Sequence, residues 1–449
     1  MMFANKVVAD LHLHSPFARA VSPQMTIPTM SYQAARRGIT LLATGDWTHP
    51  EWITELEKEL IEWSPGIYQS RAEPNGAKFL LSTEISCIFS QGGKVRRVHL
   101  LVLVPSFATA HQVIEALQKK GVNLKADGRP IMGLSCQAVT ELILSIDPQA
   151  MIVPAHAWTP WFGVLGSHGG FDSLTEAFGQ WTDKIVAIET GLSSDPLMNW
   201  RIAELDDRAI VSFSDAHSPA KMGREVTLFS YKKSSQNTEM KNTYDDIFQA
   251  LAERKNGKNT GRLQLDSTIE FYPEEGKYHW DGHRAHEYVQ APSVTKKNGT
   301  TCPICGKALT VGVEYRVELL AEKNRQNSLV KTESNDQQVI IKSNSQDPTR
   351  LPFINLVPLQ EIIAETVGKG VGSKGVIAQY HQLLDALGSE FSILLETDVE
   401  KIAAVAGEKI ASAVMHVRRG ELEIKPGYDG EYGKVSIIRD ADPVQSQLF

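Results

Sequence analysis

Asp10-Leu11-His12-Leu13-His14 places a carboxylate and two imidazoles at every second position. On an extended strand, residues two apart share a face, so these three side chains point one way and the leucines the other. Two imidazoles beside a carboxylate suit zinc or another divalent transition metal. The same residue types recur after other short apolar runs. Ile39–Ala43 leads to Asp46 and His49, Phe79–Ser82 to Glu84, Met151–Val153 to His156, and Ile210–Phe213 to Ser214-Asp215-Ala216-His217. His99 lies near the start of its run, Val98–Val104, and by position alone reads as a core histidine. A separate group sits at Cys302-Pro-Ile-Cys305-Gly-Lys. Two thiolates cannot close a tetrahedral zinc site, so His283 and His286 are the candidate partners, against a module that has lost its zinc.

The elements that must position these groups read as alternating short strands and amphipathic helices up to about Tyr231. Besides the runs above, Val7–Leu13 and Ile185–Ile188 read as buried strands. Met30–Arg37, Pro50–Glu62, Thr109–Lys119, Gln137–Ile146 and Tyr244–Arg254 read as helices. Strands separated by helices imply α/β architecture with a parallel sheet, open or closed into a barrel. In a βα barrel the C-terminal strand ends converge on one mouth, which would gather the five strand-end clusters. The expected organisation is a barrel over 1–282, a small cysteine module over 283–320, a polar insertion over 321–351 and a helical region over 352–444. The insertion is rich in Asn, Gln, Ser and Lys and is expected to stay disordered, for want of apolar residues to bury.

Bulk properties limit the function classes. The chain has 449 residues, 42% hydrophobic and 22% charged, ordinary values for a globular protein of about two to four domains. No stretch approaches the roughly 18 apolar residues of a membrane helix, and no signal peptide is expected from Met1–Ala9. Four cysteines do not make a disulfide framework, so a cytoplasmic, nucleoid-associated setting is expected. A net charge of −7 argues against coating nucleic acid by bulk electrostatics. A local basic groove remains compatible, because charge is screened over about 8–10 Å at cellular salt.

Asp-Leu-His-x-His, the Gly45-Asp46 stretch, Glu84, His99, His156 and Ser-Asp-Ala-His resemble the motifs of the polymerase-and-histidinol-phosphatase (PHP) superfamily. That resemblance implies a distorted (βα)7 barrel holding two or three divalent metals (Zn, Mn or Mg). It also implies ligands His12, His14, His49, Glu84, His99, His156, Asp215 and His217, with Asp46, Glu84 and Asp215 in catalytic roles. The chain departs from the pattern at Phe17-Ala18-Arg19-Ala20 and Asp46-Trp47, where many members carry further histidines.

Longer motifs resemble the endonuclease Q family: Thr190–Pro196, Ser214–Pro219 with Gly223-Arg224-Glu225, Glu270–His279, the Cys-Pro-x-Cys-Gly-Lys turn and Val357–Ile363. This implies hydrolysis of DNA 5′ to deaminated bases (uracil, hypoxanthine, xanthine) and abasic sites, and a zinc-ribbon-like module. Trp158, Trp161 and Phe162 would then wall a pocket for a flipped base, with Lys221, Arg224, Lys369 and Lys374 on DNA. The Gly-rich Val367–Gly375 turn resembles a helix-hairpin-helix element, whose backbone N–H groups would grip a phosphate. Gln445, Leu448 and Phe449 resemble a sliding-clamp-binding peptide. The rival readings are a small-molecule phosphomonoesterase of the histidinol-phosphatase type and a non-catalytic scaffold bound to DNA or a clamp.

Overall fold

The strand Lys6–Asp10 lies at the middle of the fold, with Leu41–Ala43 parallel on one side and Val226–Tyr231 antiparallel on the other. Leu41–Ala43 pairs in parallel with the long strand Lys78–Gln91, in the register Leu42 opposite Phe79. This is a computed structural model, and it describes residue 3 and residues 5–232, 241–256, 260–321 and 330–437. Among these, thirteen strands join one mixed sheet, and Ala187–Glu189 and Ala209–Val211 form a separate parallel pair. The protein is of mixed α/β architecture.

The expected all-parallel order is broken in one place that matters. Lys78–Gln91 turns at Gly92-Gly93, both at positive φ, directly into Lys94–Val104, and the two strands pair antiparallel. No helix intervenes, because an antiparallel neighbour needs only a tight turn. Lys94–Val104 then pairs antiparallel with Met151–Pro154, Leu100 opposite Pro154.

Helices cover this sheet through apolar faces. In Phe107–Lys119 the buried residues Ala110, Val113, Ile114 and Leu117 recur at helical spacing, and Ser106 caps the start by accepting from the Thr109 N–H at 3.1 Å. Ile27–Arg37 begins with Pro28 in its first turn and ends on Gly38 at φ 94°, the left-handed stop that glycine allows. On the strands, Val7, Ala9 and Leu11 join one core cluster with Leu41, Leu80 and Leu101, while Val8, Leu42 and Leu81 join a second.

Residues 321–351 are not devoid of structure. Val330–Ser334 and Ile340–Asn344 form an antiparallel hairpin attached to the sheet by a Lys342–Phe353 pair. The hairpin borrows the sheet's edge rather than building a core; Val339 is fully buried. Beyond Phe353–Asn355 come five helices between Leu359 and Arg418, followed by a hairpin of Leu422–Lys425 with Lys434–Ile437. No helix among the described residues is long and apolar enough to cross a membrane.

Candidate metal centre and substrate cavity

Seven of the eight expected ligands come to one place, Glu84 and His99 from within strands and the rest from just past strand ends. Their ligand atoms form three overlapping groups, each within 4.8 Å: His12, His14 and Glu84; His14, Asp215 and His217; Glu84, His99 and His156. Glu84 lies at the centre. Its Oε1 is 2.6 Å from His99 Nδ1 and 2.9 Å from His156 Nε2, and its Oε2 is 3.4 Å from His14 Nε2. His99 arrives because its strand runs opposite to its neighbours. Antiparallel pairing sets His99, midway along its strand, opposite Ser86, two residues past Glu84, and His99 reaches His156 at 3.3 Å.

A ring of carboxylates orients the imidazoles from behind. Glu189, which sequence reading missed, lies 2.9 Å from His12 Nδ1 and accepts the His156 backbone N–H at 2.5 Å. Asp46 lies 3.1 Å from His14 Nδ1 and accepts the Ser15 N–H at 2.6 Å. Fixing one ring nitrogen commits the other to the centre, and His12 Nε2 is buried there with no hydrogen-bond partner among the described residues. Asp10 faces elsewhere, accepting from the Ser214 N–H and hydroxyl and from the Gly223 N–H. Close approach is required at Gly191 (φ +61°), where a Cβ would fall 2.5 Å from His156 Cβ.

The centre is short of positive charge. Burial lowers the basicity of His14, yet Asp46 and Asp215 outweigh it and push the imidazole up to about 10. His12 is raised likewise, burial being overcome by Glu189 and Asp215. Burial raises Glu84, but His99, His12 and His156 hold it well below the usual carboxylate range. His99 is the exception: burial takes it down to about 4 although Glu84 touches it, with His156 and Arg129 opposing a further cation. Ionised carboxylates that hold protons on buried imidazoles form a donor set suited to divalent cations, which would take the place of those protons.

The cluster opens on a cavity of about 630 Å³ lined by His99, His156, Asp215, Trp161, Phe162, Leu192, Tyr278 and Arg129 among others. Trp161 stacks on His168 at 4.7 Å and meets Tyr278 edge-on at 4.9 Å, while Phe162 lies 4.4 Å from His99.

Several expected members are placed otherwise. Trp158 is fully buried and donates its indole N–H to Asn199 Oδ1 at 2.9 Å, so it packs the loop and does not line this cavity. His49 precedes the helix Pro50–Glu59 and stacks on Phe17 at 4.5 Å, outside the three groups. Lys221 pairs with Glu361 at 2.7 Å, and Arg224 donates Nε–H to the Ser214 carbonyl at 3.0 Å. Neither lines the cavity. Lys369 and Lys374 are exposed at the Gly-rich turn. Gln445, Leu448 and Phe449 lie outside the described residues. The cysteine module does assemble: the ligand atoms of His283, His286, Cys302 and Cys305 lie within 4.8 Å of one another, with Cys302 Sγ 3.8 Å from His286 Nδ1.

Comparison with known proteins agrees with this geometry. Residues 358–421 match the family described as the MJ0043 C-terminal domain. The chain is 29% identical to protein YqxK of Bacillus subtilis strain 168, over 96% of this chain and 99% of that one. It is 30% identical to protein MJ0043 of Methanocaldococcus jannaschii over 63% of this chain, a stretch covering 31% of that longer protein. Among solved structures, it is similar to the lesion-specific endonuclease PfuEndoQ of Pyrococcus furiosus (30% identity, 96% of this chain and 95% of that one, TM-score 0.78). It is also similar to an endonuclease Q solved with a 27-mer duplex carrying an abasic lesion at its active site (29% identity, 99% and 100% coverage, TM-score 0.79). With a full-length match at this identity and a histidine–carboxylate centre opening on one cavity, the chain belongs to the endonuclease Q family.

Proposed function

We propose that this protein is a metal-dependent DNA endonuclease of repair that hydrolyses the phosphodiester 5′ to deaminated bases (uracil, hypoxanthine, xanthine) and abasic sites. The observation that carries the reading is the shared address of the two functional parts: the histidine–carboxylate centre opens on the same aromatic-walled cavity of about 630 Å³. A nuclease that reads a lesion must hold the extruded nucleotide while reaching the phosphate beside it. The named relatives support this reading, one being lesion-specific and another holding an abasic duplex at its active site.

Within this reading His12, His14, Glu84, His99, His156, Asp215 and His217 hold divalent ions. Such ions, when bound, lower the pKa of a water and stabilise charge on the leaving oxygen. The chain's own residues do the rest. Glu189 and Asp46 keep His12 and His14 turned to the centre. Trp161, Phe162 and Tyr278 offer faces and edges for a base or for the sugar of an abasic site. Residues 1–282 would form a distorted (βα)7 barrel, 283–320 a zinc-ribbon-like module, and 352–444 a helical region whose Lys369 and Lys374 meet DNA backbone. Clamp binding by Gln445, Leu448 and Phe449 rests on their identity alone, and deleting 445–449 should weaken clamp capture.

The deciding experiment incubates the purified protein with labelled duplexes holding one uracil, hypoxanthine or abasic site, with Mn²⁺ or Zn²⁺ and with chelator. A metal-dependent nick 5′ to the lesion is expected. Hydrolysis of a chromogenic phosphate monoester with every duplex left intact would overturn the reading in favour of a small-molecule phosphatase.

A further inference from the structure

Arg129 belongs to none of the ligand groups, yet its side chain lines the cavity beside His99, His156 and Asp215. The backbone that carries it is tightly held. The Gly128 N–H donates to the Phe17 carbonyl at 3.0 Å, and the Ser86 N–H donates to the Pro130 carbonyl at 3.0 Å. The Arg129 N–H donates to Asp127 Oδ1 at 3.0 Å, and Ile131–Met132 pairs in parallel with Ser86-Cys87. At Gly128 a Cβ would come 2.7 Å from Asp46 Oδ2 and 3.0 Å from the Ala18 backbone nitrogen, so only glycine lets this loop approach the centre so closely.

The guanidinium at the end of this loop makes one hydrogen bond among the described residues, from Nη1 to Glu84 Oε2 at 3.1 Å. Its side chain keeps 24% of its surface exposed. A guanidinium carries five N–H donors, so most remain available. Of the other basic candidates, Lys221 is committed to Glu361 and Arg224 to the Ser214 carbonyl; Arg19 also lines the cavity but is exposed, whereas Arg129 touches the Glu84 carboxylate.

We propose that Arg129 is a catalytic residue that binds the non-bridging oxygens of the scissile phosphate. In the hydrolysis a water oxygen bonds to phosphorus while the bond from phosphorus to the leaving sugar oxygen breaks, and that oxygen departs with a proton. Arg129 moves no proton. It supplies a fixed, planar charge whose paired donors match two phosphate oxygens, which an ammonium cannot do. Because its loop is pinned before substrate arrives, that charge needs no reorganisation as the phosphate becomes more negative. The competing role, holding Glu84 in place for metal, predicts different behaviour. The proposal rests on the endonuclease reading above.

The test compares the full-length protein with R129A and R129K under single-turnover cleavage of an abasic duplex. Metal content is measured alongside. R129A should lose about 10²–10³-fold in rate, the scale of removing one preorganised donor, while keeping the parent's metal content. R129K should recover only part of the loss, and added guanidinium should partly restore R129A. Separately, inorganic phosphate should bind metal-loaded R129A at least about tenfold more weakly than metal-loaded parent, the cost of a lost charged contact. A full rate in R129A, or a lost rate that follows lost metal and is not rescued by guanidinium, overturns the proposal. If the parent cuts no lesion duplex, the endonuclease reading fails by itself, and the phosphate-binding comparison still decides the role of Arg129.

Discussion

Asp46, His156 and Asp215 adopt positive φ values of 49°, 31° and 48°, backbone that such residues seldom occupy. All three sit where a strand has just ended and a side chain must turn into the centre, and strain of about 1–3 kcal/mol each is offset by packing and hydrogen bonds. Glu189 supplies two of those bonds, to His12 and to the His156 backbone. Glu189→Gln keeps the size but weakens the hold on His12 Nδ1. Metal affinity in a competition titration should fall about 10–100-fold, with the fold intact by circular dichroism. Alanine at His12 or Asp215 should abolish cleavage altogether while leaving a folded protein; retained activity would remove them from the centre. Trp161→Ala should weaken binding of a uracil-containing duplex more than binding of the undamaged one, measured by fluorescence anisotropy. Equal losses would mean that Trp161 does not read the lesion.

At the scale of elements, the helix Val313–Leu320 in the cysteine module braces two walls of the cavity. Arg316 donates to the carbonyls of Leu165 and Phe171, each at 2.9 Å, and to Asp172 Oδ1 at 2.6 Å, fixing the loop that carries Trp161 and Phe162. From its first turn the Val313 N–H donates to the Tyr278 carbonyl at 2.8 Å, and Ser167 donates to Val311 O at 3.1 Å. Hydrogen bonds from a charged group contribute about 1.5–3 kcal/mol. Arg316→Ala should therefore loosen the loop and raise KM for lesion duplex while changing kcat much less. A change confined to kcat would show that the helix does not brace the cavity. Four ligand atoms within 4.8 Å suit one structural zinc in this module. The C302S/C305S double variant should lose that ion by metal analysis, and unchanged zinc content would rule the site out.

Across the whole molecule, Arg37 in Ile27–Arg37 reaches Glu390 in Glu390–Leu395 at 2.7 Å, both buried. Glu390 also accepts from the Leu359 N–H at 2.9 Å and the Tyr380 hydroxyl at 2.7 Å, so one carboxylate joins three C-terminal helices to the catalytic region. Glu390→Ala leaves a buried guanidinium unpaired and should cost about 3–5 kcal/mol in denaturant unfolding. A second buried carboxylate contributes to the pH response, in the same direction as Glu275. Burial pushes Glu270 up to about 8, against hydrogen bonds from Thr268, Ser212 and Thr190. Its folded form therefore keeps a proton that the unfolded chain releases near its ordinary value of 4.5. Between those values the native state binds more protons, so this group's contribution makes stability fall as pH rises from about 5 to about 8. Glu270→Gln, with no proton to lose, should flatten that slope in melts across the range; an unchanged slope would assign it to other groups.

The strand-end positions of His156 and Asp215-Ala-His217 were legible because local chain geometry decides them, whereas Asp10 turns away from His12 and His14, and Glu84 lies within the long strand Lys78–Gln91. Where a short apolar strand stops follows from sequence without knowledge of neighbours; how far a strand runs on, and where residues past its end face, do not. The helices were legible as well, because their apolar spacing and caps are local. The direction of a neighbouring strand is not local. His99 joins the centre because its strand runs antiparallel to Lys78–Gln91, so its position alone reads as core and only the family resemblance marks it as a ligand. Trp158 and Trp161 stand three residues apart, yet one is sealed against Asn199 and the other faces the cavity, a choice made by the folded loop. The polar hairpin at 330–344 owes its order to a sheet edge supplied by residues distant in sequence. Glu189 and Arg129 carried no motif at all; they matter because strands and a glycine-tight loop bring them to His12 and Glu84. Residue type and period therefore determined which chemistry this chain holds. Tertiary structure decided which copies of each residue perform it, since burial and distance depend on parts of the chain that sequence spacing does not relate.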